Sequence, residues 1–236
     1  MTHAVDKFVN AQMIYWQKQK EQLEEPEKVN RLPFVTISRE YGCCGYRVAS
    51  RLVELINEEF KPEPTWAAYD KKILEKLMGD MGLSSILVET LTGKARNKLT
   101  NLIQTTFSSF PPQVAVHKRL AEIIALLALN GNVVIVGRGS NMITKHFSSG
   151  FHVRLVASLN CRADKLSKAM NITKNEATKL IHEKTKQREG YMKEFLKFDL
   201  TDAHNYNLII NDGEFDVDEV ARLIMESMKM KGLLQK

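Results

Sequence analysis

Five short apolar runs, set apart by helical stretches, constrain this chain more than any other feature. They are FVTIS at 34–38, WAAY ending just before Asp70, VVIV at 133–136, HVRLVA at 152–157 and NLII at 207–210. Runs this short, bounded by turn residues and rich in β-formers, read as buried strands. The intervening stretches carry the helical period. After the first run, Val48, Leu52, Leu55 and Ile56 share one helix side, and the pattern stops near Pro62. KKILEKLM follows the second run. VAVHKRLAEIIALLAL precedes the third and closes at Asn130-Gly131, a helix-stop signal. CRADKLSKAM makes a basic helix after the fourth run. Thr173 and Glu176 have capping-box spacing ahead of a longer helix, as do Asp216 and Glu219 ahead of VARLIMESM. Strands alternating with helices predict an α/β fold with a mostly parallel sheet covered on both faces.

A chain of 236 residues suits one core, or one core with a lid. Residues 1–31 read as an N-terminal helical extension. Phe8, Met13, Ile14 and Trp16 give it an apolar face for the main body or a partner, and Pro26 ends it. Residues 32–236 form the main domain, with 79–112 as a variable connection. No eighteen-residue apolar run is present, so no membrane span is expected, and no export signal is visible. Cys43, Cys44 and Cys161 have neither disulfide-framework nor zinc spacing. A reducing, cytoplasmic location is the expectation. A homo-oligomer stays open.

In open parallel sheets, ligands sit beyond the carboxyl ends of the strands. Three features fall there: the turn after FVTIS, Asp70 after WAAY, and Arg138 after VVIV. The turn EYGCCGYRV has the layout of a loop that wraps phosphate with backbone N–H groups at a helix start. Gly42 and Gly45 allow the tight turn, and Tyr46 and Arg47 begin the helix. A generic strand–helix turn also uses glycine. Arg138, between two glycines, offers a planar five-donor fork suited to a phosphate dianion. Asp70 can accept from a ligand, cap the helix that follows, or do both. Cys43 and Cys44 stand near a helix start, which can lower a thiol pKa, but no CxxC spacing supports a redox role. The histidines are dispersed.

Net charge is +6, and the stretch 160–197 carries ten Lys or Arg against five Asp or Glu. That excess favours an anionic partner or a solvated helix face. No zinc-finger spacing or RNA-binding aromatic motif is present; nucleic acid and small phosphate compounds both stay open on charge alone, with nucleic acid the weaker reading overall.

Four blocks taken in order resemble the cytidylate kinase-like proteins, a branch of the P-loop nucleoside monophosphate kinases. They are VTISREYGCCGYRVASRL, the Tyr69-Asp70-Lys71 turn, NVVIVGRGSNMI, and the segment from HVRLVASLNCRADKL through ATKLIHEKTKQREGYMKEF to NYNLIIN. The resemblance runs from about Phe34 to Ile224. It implies a three-layer α/β/α P-loop kinase fold with a helical lid at about 173–198. It also implies γ-phosphoryl transfer from ATP to CMP, dCMP or a related small acceptor, with Mg²⁺ carried mainly by the nucleotide.

By that resemblance, Gly42, Cys43, Cys44, Gly45, Tyr46 and Arg47 cradle the donor phosphates. Arg138 grips the acceptor phosphate, and Arg188 with Lys184 belongs to the lid. Arg162 matches a further family arginine, and Asp70 borders the monophosphate site. The chain also departs from the family. Cys44-Gly45 replaces a glycine pair and Tyr46 the basic residue after it. Arg39 and Arg47 are the candidates to replace that charge, Arg39 the better placed. No serine or threonine follows Gly45, and Val156 stands where many cytidylate kinases have aspartate, so no residue is assigned as a metal ligand. The alternatives are a catalytically weak or inactive nucleotide-binding protein on the same fold, or a kinase for a different small molecule.

Overall fold

The computed structural model describes residues 7–16, 32–79, 115–196 and 199–235. Five strands form one sheet: β1 (Phe34–Arg39), β2 (Ala67–Tyr69), β3 (Val133–Val136), β4 (Gly150–Val156) and β5 (Leu208–Asn211). Their order is β2-β3-β1-β4-β5, and every pairing among the described residues is parallel. All five apolar runs are therefore strands, with boundaries shifted by up to two residues. The expected connection at 79–112 lies, but for Gly79, outside the described residues.

Helices cover both faces. Helix α1 spans residues 7–16. It is followed by α2 (Gly45–Phe60), α3 (Lys71–Gly79), α4 (Ala115–Asn130), α5 (Ser140–Thr144), α6 (Leu159–Met170), α7 (Lys174–Leu196) and α8 (Val217–Met230). Strand alternation sorts the side chains. Val35, Ile37, Val134, Val136, Val153 and Leu155 point into a core shared with α2 and α8. Phe34, Val133, Ile135 and Tyr69 point the other way, into a core with α1, α3 and α4. The third layer is thus built partly by α1. Trp16 is 2% exposed, and the fully buried Gln12 donates to the Thr65 and Asn132 carbonyls at 2.8 and 2.7 Å and accepts from the Tyr69 hydroxyl at 2.7 Å.

Helices α6 and α7 pack on each other through Ala163, Ala177 and Ile181, with Tyr41 against them. The stretch expected as a lid, 173–198, is mostly one helix, α7, of 23 residues. Both capping boxes form: Glu176 Oε2 accepts from the Thr173 N–H at 2.8 Å, and Asp216 Oδ1 accepts from the Glu219 N–H at 2.8 Å.

Candidate active site

Strand β1 ends at Arg39, and the chain turns through residues 40–44 into α2. Gly42 has φ +101°, and a Cβ there would fall 2.8 Å from the Arg162 Cβ. Glycine is needed because α6 approaches this closely, in a conformation that side chains rarely adopt. Arg162 braces the turn. Its Nε donates to the Ala157 carbonyl at 2.9 Å and lies 3.4 Å from Glu40 Oε2, and its Nη1 donates to the Tyr41 carbonyl at 3.3 Å. Glu40 Oε2 also accepts from the Ala157 N–H at 3.1 Å.

The loop amides are partly committed. The Cys43 N–H donates to the Glu40 carbonyl at 3.3 Å, and the Cys44 N–H to Asp212 Oδ2 at 2.9 Å. Cys44, at the N-cap of α2, offers no side-chain acceptor to the first turn. A helix start without a side-chain cap leaves room for an external anion.

Arg39 lies in a slot between the loop and the turn after β3. A Cβ on Gly45 would sit 3.1 Å from Arg39 Cδ, and one on Gly137 only 1.8 Å from its Nη1. Burial, then the charges of Arg188 and Arg138, lowers the Arg39 pKa to about 10, while Asp70 and Cys43 pull the other way. Arg188 reaches down from α7. Its Nη1 donates to the Arg39 carbonyl at 3.4 Å and its guanidinium lies 5.0 Å from the centre of the Tyr41 ring. Burial lowers its pKa as well, opposed by Tyr41 and reinforced by Arg138. Arg138 and Arg188 both add to the positive field at Arg39, and clustered guanidinium groups favour an anion between them.

Beyond β3, Gly137, Arg138 and Gly139 all have positive φ, +77°, +58° and +69°. The turn presents Arg138, whose Nη2 lies 3.4 Å from Glu75 Oε1 on α3; Lys71 Nζ lies 3.7 Å from the same oxygen. Asp70 caps α3, accepting from the Ile73 N–H at 3.0 Å.

These parts enclose two clefts. One, of about 1040 Å³, lies over the loop residues Gly42, Cys43, Cys44, Gly45, Tyr46 and Arg47 and is walled by α6 and the segment after β5. The other, of about 510 Å³, is lined by Ser38, Lys71, the Gly137–Gly139 turn, Asn141 and, from α7, Lys184 and Gln187. Arg39, Tyr41 and Arg188 line both. They form the wall where the two clefts meet.

Of the residues singled out from sequence, Arg39, Arg138, Arg188, Lys184 and the loop come together here. Arg47 lines the larger cleft from an exposed position. Arg162 sits beneath the turn with its donors directed to Glu40 and to backbone carbonyls. Asp70 is engaged as a cap. Ser38, next to the loop in sequence, lines the smaller cleft instead. The thiols move opposite to the helix-start expectation. Burial, then Asp212 and Glu40, pushes Cys43 up to about 12, and burial with Asp212 raises Cys44.

Sequence reasoning passed over Lys165, Lys168 and Asp212. Both lysines line the larger cleft, three apart on α6, a spacing that puts them on one face. Asp212 is 1% exposed, and its Oδ2 lies 3.0 Å from Lys165 Nζ. No local signal marks it. Its Oδ2 takes both Lys165 and the Cys44 N–H, while its buried Oδ1 has no hydrogen-bond partner among the described residues. Among the described residues no cluster of three His, Cys, Asp or Glu side chains is placed to hold a metal ion.

A sequence model of the cytidylate kinase-like family matches residues 34–214. A cytidylate kinase from Methanocaldococcus jannaschii is 30% identical over 128 residues, 52% of this chain and 70% of that protein. Among solved structures, an uncharacterized protein from Eubacterium ventriosum superposes with a TM-score of 0.64 at 19% identity, covering 84% of this chain and 98% of its own. That likeness concerns the fold. No helix among the described residues is long and apolar enough to cross a membrane.

Proposed function

This chain belongs to the cytidylate kinase-like family, and from that premise we propose that it moves the γ-phosphoryl group of ATP to a nucleoside monophosphate, with CMP or dCMP as the first acceptors to test. The observation that carries the proposal is the shared wall of the two clefts. ATP lies in the larger cleft, its phosphates against the start of α2. The monophosphate lies in the smaller one, its phosphate held by Arg138. The bond from Pγ to the β,γ-bridging oxygen breaks as an acceptor phosphate oxygen bonds to Pγ. The moving group passes Arg39 and Arg188.

Phosphoryl transfer asks the protein for alignment and for positive charge on the equatorial oxygens, with little covalent chemistry. Arg39 is packed, half-buried, against both glycine turns, so its guanidinium is oriented before substrate arrives. Arg188 on α7 closes the opposite side and excludes water. Arg47 and Lys168 add charge along the donor cleft, where the loop itself carries no lysine and Lys165 is paired with Asp212. Mg²⁺ carried by the nucleotide would supply further charge neutralisation.

The test is purified protein with ATP, Mg²⁺ and a panel of monophosphates, followed by diphosphate formation. Turnover with at least one monophosphate is expected. A second reading, a nucleotide-binding protein with little or no catalysis, draws on the Cys44 N–H, which is spent on Asp212 instead of phosphate. ATP binding without turnover on any acceptor would establish that reading and end the first.

A further inference from the structure

Asn141 is a buried polar group that the phosphate chemistry leaves unused. It stands on α5, directly after the Gly137–Gly139 turn, is 3% exposed, and lines the acceptor cleft. Its Nδ2 has no hydrogen-bond partner among the described residues. A buried amide donor is costly without an acceptor, and most such groups in folded proteins find one. The cleft beside it is rich in charge of one sign. Arg39, Lys71, Arg138, Lys184 and Arg188 line it, and no carboxylate does among the described lining residues. Those cations are matched to a phosphate. A neutral amide N–H, set deeper than the exposed Arg138, is matched to a neutral acceptor such as a carbonyl oxygen.

We propose that Asn141 is a specificity-determining residue whose Nδ2 donates to a carbonyl oxygen on the base of the bound monophosphate, as the O2 of a pyrimidine presents. The inference rests on the acceptor-cleft reading above. Phosphate recognition belongs to the arginines, and base recognition belongs to this amide. A site built to hydrogen-bond a substrate group discriminates strongly against a ligand lacking it, because the buried donor is then left unpaired.

The experiment compares wild type with N141L by isothermal titration of CMP, UMP and ribose 5-phosphate, without ATP, alongside the melting temperature. Leucine keeps the volume and removes the donor. The expected result is a loss of about 10- to 100-fold in affinity for CMP and UMP. Ribose 5-phosphate, which has no base, should change little, and the melting temperature should hold or rise because an unpaired buried donor is gone. N141A is the second variant should leucine prevent folding. Unchanged CMP and UMP affinity would overturn the inference. So would an equal loss for ribose 5-phosphate, or a fall in melting temperature with no selective loss of CMP. A wild-type protein that binds neither CMP nor UMP would sink the acceptor-cleft reading itself, and this inference with it.

Discussion

Gly137 lacks a side chain where Arg39 needs the space. A Cβ there would lie 1.8 Å from Arg39 Nη1, a separation that forces the guanidinium out of its slot. The far end of an arginine can swing away, so the expected damage falls on position more than on folding. Gly137→Ala should lower kcat by about 10²- to 10³-fold, the scale for losing one oriented charge at a transition state. Thermal stability should fall by only about 1 kcal/mol from the positive φ. Arg39→Met should give a similar kcat defect, with KM for ATP moved far less. A Gly137→Ala enzyme with normal kcat would show that Arg39 does not act from that slot. Sequence pointed to Arg39 because it stands between a strand end and a glycine turn. It pointed to Arg138 for the same local reason. The contact between the Arg39 side chain and Gly137, about a hundred positions away, could not be read in the same way.

At the scale of elements, local and distant interactions separate cleanly. The capping boxes at Thr173 and Asp216 were legible because each is made within four residues. The contact that anchors the start of α2 is not local. Asp212, after β5, accepts from the Cys44 N–H 168 positions earlier and pairs with Lys165 of α6. One buried carboxylate therefore joins β5, α2 and α6. Asp212→Asn keeps the shape and an oxygen for the Cys44 amide, and it leaves the Lys165 ammonium without its counter-charge. The expected cost is about 1–3 kcal/mol of stability, read as a lower denaturant midpoint with an unchanged slope. A midpoint equal to that of wild type would show that the carboxylate charge does not hold these elements together. Arg162 teaches the same lesson. Its family position was legible, but its role as a brace beneath the turn depends on how closely α6 approaches Gly42.

For the whole molecule, the N-terminal segment changes standing. Read from sequence, residues 1–31 are an extension outside the family resemblance, and the family match does begin at residue 34. The described part, α1, nevertheless helps cover one face of the sheet together with α3 and α4. Trp16 and Met13 are core residues, and Gln12 bonds to Thr65, Tyr69 and Asn132 near two strands. Trp16→Ala should cost about 3–5 kcal/mol, as large-to-small changes in a close-packed core do. The ratio of the two substrates' KM values should stay fixed, since α1 lines neither cleft. A variant of wild-type stability would mean that α1 is an appendage after all.

Sequence alone pointed to the five strands and most of the helices, to a mostly parallel sheet, and to Arg39 and Arg138 beyond its carboxyl ends. These follow from periodicity, caps and turn residues, all of which act over a few positions. Tertiary structure decided the rest: the strand order that sets β1 between β3 and β4, the slot that aims Arg39, the common wall of Arg39, Tyr41 and Arg188, and the commitment of Asp212 to Cys44. Each of these depends on which distant side chains share a small volume. Close packing settles that, and no local pattern in the chain encodes it.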